Sequence, residues 1–326
     1  MTDVRTVAVV GTGVIGGSWA ASFLAAGLDV VATDPAPDAE QRLRADVAAH
    51  WPALTRAGLA PGASPERLSF TRDVAAAAAA ADFVQENGPE REDVKHEVFG
   101  VLDAAARPDV VLASSSSGLL PSRIALGCPK HAERVVIGHP FNPPHLIPLV
   151  EVVPGARTDP RSVDAAMAFY RGIGKRPIRL RQELPGHVAN RLQAALWREA
   201  YSLVQQGVAS VSDIDTAISQ GPGLRWALLG PFANQHLSGG PGGLAHVLEH
   251  LGPPMVAWWQ DMTTPELTPE LAAALVAGVD DELAGIDQAE LVAQRDDLLL
   301  QLLTAKAAAT ALPRPDLPAP PTPEPS

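Results

Sequence analysis

The sequence contains a single cysteine, Cys128, in 326 residues. One cysteine forms neither an intrachain disulfide nor a cysteine metal cluster, so a disulfide-stapled or zinc-finger scaffold is excluded. We expect Cys128 to be a small buried residue. The chain also lacks a run of about 20 strongly apolar residues, which a membrane-spanning helix requires. Because no basic segment followed by a cleavable apolar core is present, we expect a cytoplasmic protein without a membrane partner.

Basic residues are outnumbered, with 25 Lys and Arg against 37 Asp and Glu and a formal net charge of −12. Such a charge repels phosphate backbones, and no local basic patch offsets it, so we expect no nucleic-acid partner. Apolar residues make up 46% of the chain and the mean hydropathy is +0.06. These values are typical of a folded globular protein, and the length predicts about two domains.

Residues 1–185 alternate short β-branched apolar runs with helical stretches. This alternation predicts a Rossmann-type, doubly wound α/β domain. The predicted strands are 6–10, 29–34, 82–85, 110–113, 135–138, 149–153 and 177–182. We expect a helix over residues 39–57 and a loop over residues 58–69.

The pattern changes after the turn at 184–186. Residues 188–206 carry apolar side chains at helical spacing, and no strand signal follows them. We therefore predict an all-helical domain over residues 186–311. The remainder, 312–326, is mostly proline with small and acidic residues, and we expect a disordered tail.

A glycine pattern lies between the first strand and the first helix. Gly11, Gly13 and Gly16 fit the dinucleotide-binding fingerprint, in which the glycines permit a tight turn, close approach to a pyrophosphate and helix–strand packing. Val14 and Ile15 complete the loop. Asp34 follows Gly11 by 23 residues, at the end of the second predicted strand. Its carboxylate suits ribose hydroxyls and repels a 2′-phosphate, so we expect NAD as the cofactor.

His139 ends a predicted strand, where α/β sheets place ligands. Glu151 follows 12 residues later in an apolar segment, where an unpaired carboxylate is costly. If the intervening loop turns the chain back, the two side chains meet and the glutamate orients an imidazole base. A structural histidine and an edge-strand glutamate fit the spacing equally well.

Other polar residues have a functional and a structural interpretation. Ser117 closes a four-serine run after a predicted strand, where hydroxyls bind a substrate oxygen or simply form a loop. Asn190 lies about one turn into the helix at the domain junction, where it contacts a ligand or only nearby backbone. His246 and His250 are four residues apart but lack the zinc-protease pattern, so we expect no metal site.

Together these segments resemble the L-3-hydroxyacyl-CoA dehydrogenase family. The likeness is strongest to its short-substrate branch, which contains L-carnitine dehydrogenases, L-gulonate 3-dehydrogenases and lambda-crystallins. It covers residues 7 to about 305, and the motifs that carry it are 11–16, 113–117, 139–143, 148–152, 185–191 and 223–226.

The resemblance implies catalytic and cofactor roles for particular residues. It implies His139 as the base, Glu151 as its partner, and Ser117 and Asn190 as groups that bind the reacting oxygen. It further implies that three residues lie along the nicotinamide half of NAD and that the helical domain forms a homodimer. Those three residues are Glu90, Lys95 and Asn142.

The chain departs from the acyl-CoA members in the segment 221–230, where they have a short glycine-proline turn. Arg225 puts a fixed cation there, with Trp226 beside it, and a free carboxylate would pair with this cation. Alternatively, Arg225 pairs with an acidic neighbour such as Asp213 or Asp215. The predicted activity is NAD-dependent oxidation of the 3-hydroxyl of a small carnitine- or gulonate-like acid. The alternatives are the same reaction on a CoA thioester and a crystallin-like or NAD-sensing protein without turnover.

Overall fold

The computed structural model describes residues 4–313, which divide after Arg191 into two compact units. The predicted domain boundary near residue 185 stays a prediction. The predicted tail, 312–326, lies outside the described residues apart from Leu312 and Pro313.

The first unit is built on one eight-stranded sheet of order β3-β2-β1-β4-β5-β6-β7-β8. Its strands are β1 (Thr6–Val10), β2 (Asp29–Thr33), β3 (Leu68–Thr71), β4 (Phe83–Glu86), β5 (Val111–Ser114), β6 (Val135–Pro140), β7 (Leu149–Pro154) and β8 (Arg176–Arg179). All neighbouring pairs are parallel except β6 and β7, which are antiparallel. The predicted doubly wound α/β class is confirmed.

Helices cover both faces of this sheet. They are α1 (Val14–Ala25), α2 (Ala39–Ala57), α3 (Val74–Ala80), α4 (Glu92–Ala105), α5 (Pro121–Ile124) and α6 (Pro160–Gly172). Successive residues of a strand point to opposite faces, so Val7 and Val9 join one apolar core while Ala8 and Val10 join the other. Cys128 is buried in the second core, as expected, and burial raises the pKa of its thiol to about 12.

The structure corrects the loop predicted over residues 58–69. Its last two residues belong to β3, which pairs in parallel with β2 through Val30 and Leu68. This edge strand is four residues long and only Leu68 is buried, so it lacks the apolar run by which the other strands are recognised.

Within its described residues, 192–313, the second unit contains helices and connecting segments but no strand. Its helices are the greater part of α7 (Ala189–Gln205), then α8 (Val211–Ser219), α9 (Pro222–Trp226), α10 (Pro231–Ser238), α11 (Gly243–Asp261), α12 (Pro269–Glu282) and α13 (Gln288–Ala308). Within residues 4–313, none of the helices combines the length and the apolar character that a bilayer crossing requires.

The second unit has little interior of its own. Between residues 192 and 313 the buried positions are Ser202, Gly239, Gly243, Val247 and Leu271. Large apolar side chains are exposed instead, including Phe232 at 74% and Trp259 at 64%. A surface of this kind is typical of an association face.

The glycine turn before α1 provides a stability prediction with a control in the same turn. A Cβ on Gly16 would lie 1.9 Å from the Gly11 carbonyl oxygen, whereas one on Gly13 would meet no atom within 4 Å. We expect Gly16→Ala to lower Tm by about 5 °C or more through overpacking. Gly13→Ala should leave Tm unchanged. Thermal unfolding followed by circular dichroism checks both, and equal Tm values for the two variants would contradict this account of the turn.

Candidate active site

The glycine turn has the backbone shape that a dinucleotide requires. Gly11 has φ +85°, and its N–H donates to the Thr33 carbonyl at 2.8 Å. The close approach of Gly16 to Gly11 lets α1 begin directly above β1. The space beside Gly13 is open, so a pyrophosphate can reach the N–H groups at the start of α1. These residues therefore fit NAD.

Asp34 lies beside the same turn, just after β2. Its Oδ2 accepts hydrogen bonds from the Thr12 N–H at 2.8 Å and the Thr12 hydroxyl at 3.2 Å, while Oδ1 accepts from the Ala36 N–H at 2.9 Å. The carboxylate is thus held beside the glycine turn, and Oδ1, which accepts only one hydrogen bond within the described residues, keeps acceptor capacity.

His139 and Glu151 meet because β6 and β7 are antiparallel. The two residues are direct register partners, and the imidazole Nδ1 lies 2.9 Å from the Glu151 Oε2. His139 is 6% exposed and Glu151 is fully buried. An ionised carboxylate only accepts, so Nδ1 carries the proton and donates it. The other ring nitrogen, Nε2, makes no hydrogen bond within residues 4–313 and holds the lone pair that a base needs.

The second oxygen of Glu151 is bound by the start of α7. Oε1 accepts hydrogen bonds from the backbone N–H groups of Val188 and Ala189 at 2.9 and 3.0 Å. Burial acts to raise the pKa of Glu151, but the bonds from His139 and these two amides outweigh it and hold the pKa below its usual value. The glutamate therefore stays ionised and links the imidazole to the helix that carries Asn190.

Glu90 fixes the serine loop that follows β5. Its Oε1 accepts hydrogen bonds from the Ser116 hydroxyl at 2.6 Å, the Gly118 N–H at 2.7 Å and the Leu119 N–H at 3.0 Å. Burial acts to raise the pKa of Glu90, and these bonds more than compensate, so the pKa lies below its usual value. Ser117, between Ser116 and Gly118, is exposed, and its hydroxyl makes no hydrogen bond within the described part of the chain.

Lys95 lies deeper than the resemblance suggests. Its ammonium group donates to both oxygens of Glu86 at 2.7 and 2.8 Å and to the Gly88 carbonyl at 3.0 Å. Both side chains of the pair are 1% exposed, and the Ser114 hydroxyl also donates to Glu86 at 2.7 Å. In this structure Lys95 braces the ends of β4 and β5, and its contact with NAD stays a prediction.

Asn190 and Asn142 keep their side chains unengaged. Asn190 lies in the first turn of α7, half-buried, and Asn142 is exposed just beyond β6. Neither side-chain amide forms a hydrogen bond within residues 4–313, so the alternative of an Asn190 that only bonds nearby backbone is not realised there.

Arg225 and Trp226 belong to the second unit, at the end of α9, and both are exposed. Among the described residues Arg225 forms no ion pair, and Asp213 instead caps α8 with Ser210. The guanidinium is therefore available to a ligand.

One residue beside the His139–Glu151 pair, which we call the dyad, was not predicted from the sequence. The ring of His187 lies 5.2 Å from that of His139, centroid to centroid, and is fully buried. Its position directly after Gly186, at the junction of the two halves, was visible in the sequence. Its proximity to a residue 48 positions earlier was not.

Two models of one protein family match successive parts of the chain. Residues 6–184 match the profile of the 3-hydroxyacyl-CoA dehydrogenase NAD binding domain, and residues 186–274 match that of the C-terminal domain of the same family. The chain is 52% identical over 303 residues to the L-carnitine dehydrogenase of Streptomyces coelicolor, covering 93% of this chain and 95% of that protein.

Two further matches extend over nearly the whole chain. The L-carnitine dehydrogenase of Pseudomonas putida is 48% identical over 305 residues, with 94% and 95% of the two chains covered. Among solved structures, 5-formyl-3-hydroxy-2-methylpyridine 4-carboxylic acid 5-dehydrogenase, an NAD-dependent dismutase, superposes with a TM-score of 0.81 at 29% identity. That match covers 94% of this chain and 99% of the other.

The lowered pKa of Glu151 gives a pH-dependent prediction. Glu151→Gln keeps an oxygen for the two amides of α7 but removes the charge, so it should destabilise the protein by about 1–3 kcal/mol near neutral pH. Because the pKa of Glu151 is lower in the folded than in the unfolded protein, its ionised form stabilises the fold at pH values above the ordinary pKa of 4.5. This stabilisation is lost as the pH falls from 4.5 through the lower pKa of the folded state.

Urea unfolding of both proteins at a series of pH values from about 7 to about 3.5 measures the difference. We expect it to be constant above pH 5 or so and to shrink below 4.5. A difference that does not change with pH would contradict the assigned charge of Glu151.

Proposed function

The chain belongs to the 3-hydroxyacyl-CoA dehydrogenase family, and from this premise we propose that its substrate is a free 3-hydroxy-carboxylate of the carnitine type, with His139 as the base. It is an NAD-dependent dehydrogenase that oxidises the 3-hydroxy group of a small substrate. The observation that carries the proposal is the buried pair in which Glu151 leaves Nε2 of His139 as the free acceptor.

In the proposed mechanism Nε2 of His139 takes the proton of the 3-hydroxyl group. Glu151 stabilises the imidazolium that forms, because its ionised carboxylate lies 2.9 Å from Nδ1. NAD supplies the acceptor for the hydride that leaves carbon 3. The product is the 3-keto acid, and the proton later passes from His139 to solvent.

Ser117 and Asn190 hold the reacting oxygen in this proposal. Each has a side chain that forms no hydrogen bond within residues 4–313, so each retains its full donor capacity for a ligand. Donors placed at the oxygen stabilise the negative charge that develops as the proton leaves. Gly11, Gly13, Gly16 and Asp34 bind the pyrophosphate and adenosine ribose of NAD in the same proposal.

The preference for a free acid rests on Arg225. Its guanidinium has no ion-pair partner within residues 4–313 and suits a carboxylate, which it binds through two parallel hydrogen bonds, whereas a CoA thioester has no such group. A quaternary ammonium at the other end of the substrate suits an aromatic face. Either Phe141, which is half-buried and 5.9 Å from the His139 ring, or Trp226 supplies that aromatic face in this proposal.

We also propose that two copies of the chain associate through the helical unit. Its apolar side chains include Leu237 and Trp258, which are 66% and 57% exposed, and few residues of the unit are buried. Burying such a surface in a second copy removes apolar area from water at roughly 25 cal/mol per Å². Sedimentation velocity giving a monomer would contradict the homodimer. The proposed location of the enzyme is the cytoplasm.

A substrate panel tests the function. NADH formation is measured with L-carnitine, L-gulonate and 3-hydroxybutyrate, and NADH consumption with acetoacetyl-CoA. We expect turnover of a free acid, with L-carnitine preferred, and a loss of about 10²-fold or more in kcat for His139→Ala with NAD binding retained.

Each outcome of the panel separates one hypothesis from the others. Preference for acetoacetyl-CoA favours the thioester reaction. NAD binding without turnover of any compound favours the crystallin-like or NAD-sensing alternative. A His139→Ala variant that works at the rate of the parent protein would overturn the assignment of the base.

Arg225→Met tests the carboxylate anchor. Losing a charge-assisted hydrogen bond should raise KM for the hydroxy acid about tenfold or more without changing the Kd for NAD. Arg42→Met makes the same substitution on the surface helix α2, where Arg42 lies 3.9 Å from Asp38, and serves as the control. An unchanged KM for Arg225→Met would remove the anchor and favour the thioester reaction.

A further inference from the structure

The backbone of His187 has a left-handed conformation, which is strained for a residue with a side chain. Among the non-glycine residues of 4–313 it alone has positive φ, at +50°. A left-handed conformation costs a residue with a Cβ about 1 kcal/mol or more. Such strain persists where the surrounding contacts enforce it, and it concentrates at functional sites.

The hydrogen bond of His187 determines its tautomer. Nε2 lies 3.0 Å from the carbonyl oxygen of Ser116, and a carbonyl only accepts, so Nε2 carries the proton. Nδ1 is then a lone pair, and this buried atom has no hydrogen-bond partner among the described residues. Burial lowers the pKa of His187, and the neighbouring His139 lowers it further, so the ring is neutral.

A phenylalanine of nearly the same shape would fill this site without an unsatisfied nitrogen. The unpaired Nδ1 costs about 1–3 kcal/mol, which a purely apolar packing role would not incur. What histidine adds over phenylalanine is the donor to Ser116. The hydrogen bond between Nε2 and the Ser116 carbonyl is therefore the feature that requires a histidine at position 187.

This bond joins the two segments that carry the proposed oxygen-binding groups. Ser116 immediately precedes Ser117 in the serine loop, and His187 precedes Asn190 by three residues. The two amides that follow His187 bind Glu151, and the His187 ring lies 5.2 Å from that of His139. One side chain thus connects the serine loop to the start of α7 next to the dyad.

We propose that His187 is a positioning residue which, through its hydrogen bond to Ser116, sets Ser117 and Asn190 in a fixed arrangement about Nε2 of His139. The inference rests on the proposed function, since it gives those three residues the roles stated there. His187 itself does not contact the substrate, because its remaining nitrogen is sealed from solvent. It acts on the reaction by fixing the geometry in which the hydroxyl proton and the hydride leave together.

His187→Phe keeps the ring and removes the donor, and His131→Phe on the surface is the matched control. We expect kcat per NAD-binding site to fall about 10- to 100-fold for His187→Phe, with the Kd for NAD unchanged. With substrate deuterated at carbon 3, the isotope effect on kcat/KM should be as large as in the parent protein or larger, because hydride transfer is the slowed step. A purely structural role would lower Tm or the number of NAD sites without this pattern.

His187→Asn covers the case in which phenylalanine does not tolerate positive φ. Asparagine accepts this conformation readily, and its shorter side chain does not reach Ser116. It should reproduce the fall in kcat at an unchanged number of NAD sites. Turnover within twofold of the parent protein in both variants overturns the proposal for His187. If His139→Ala is inactive in the same experiment, the proposed function is still supported.

A second measurement does not depend on turnover. Imidazole nitrogen NMR of the ¹⁵N-histidine-labelled protein reads the protonation of each ring. We expect His187 to be neutral above about pH 7, with its proton on Nε2, because burial holds its pKa below the usual value. A proton on Nδ1 of His187 in that neutral state overturns the inference even if the substrate panel supports the function.

Discussion

The antiparallel pairing of β6 with β7 is the constraint on which the candidate site depends. All other neighbouring strands are parallel, and this one reversal sets His139 directly across from Glu151, at the end of the sheet where β1, β4 and β5 also terminate. Had β7 entered the sheet in parallel after a crossover helix, a spacing of 12 residues could not have brought the two side chains together. The reversal also buries the carboxylate, and burial makes its bond to the imidazole strong and its orientation unambiguous.

Charge buried beneath the loops gives the site its rigidity. Glu86 and Lys95 neutralise each other at the ends of β4 and β5, and Glu90 binds the serine loop through one hydroxyl and two amides. A buried ion pair contributes little net stability because desolvation offsets attraction, but breaking it leaves an uncompensated charge. These buried charges therefore favour one arrangement of the loop over others. A site that holds a hydroxyl group next to a base requires such a fixed arrangement.

The two units differ in how much of their apolar surface they bury. The first has a two-sided core in which Trp19, Phe23, Phe83 and Tyr170 are all within 1% of complete burial. The second presents large apolar side chains on helices with few buried positions. Local helix signals are strong there, as in the Ser210 capping box of α8, so the helices form without the interior that would make the unit self-sufficient.

By itself, the sequence determined the local features of this protein. The glycine turn, the run of strands from β4 to β7, helix α2 and the change to an all-helical half each follow from spacing and residue type, which act over a few positions. The edge strand β3 was missed, because a strand with one buried residue carries no apolar pattern.

Only the tertiary structure decided which distant residues meet. The spacing of His139 and Glu151 fits both a base with its partner and a structural histidine with an edge-strand glutamate, and only strand register shows that the two side chains lie 2.9 Å apart. The buried pair of Lys95 with Glu86 was likewise not visible in the sequence, since the two residues come together only in the folded chain. The position of His187 in the 185–191 motif was visible in the sequence, but its contacts were not, because they are made with a carbonyl 71 residues away and a ring 48 residues away. Hydrogen bonds and ring contacts act over a few ångströms in space, and periodicity along the chain does not encode which residues will share that space.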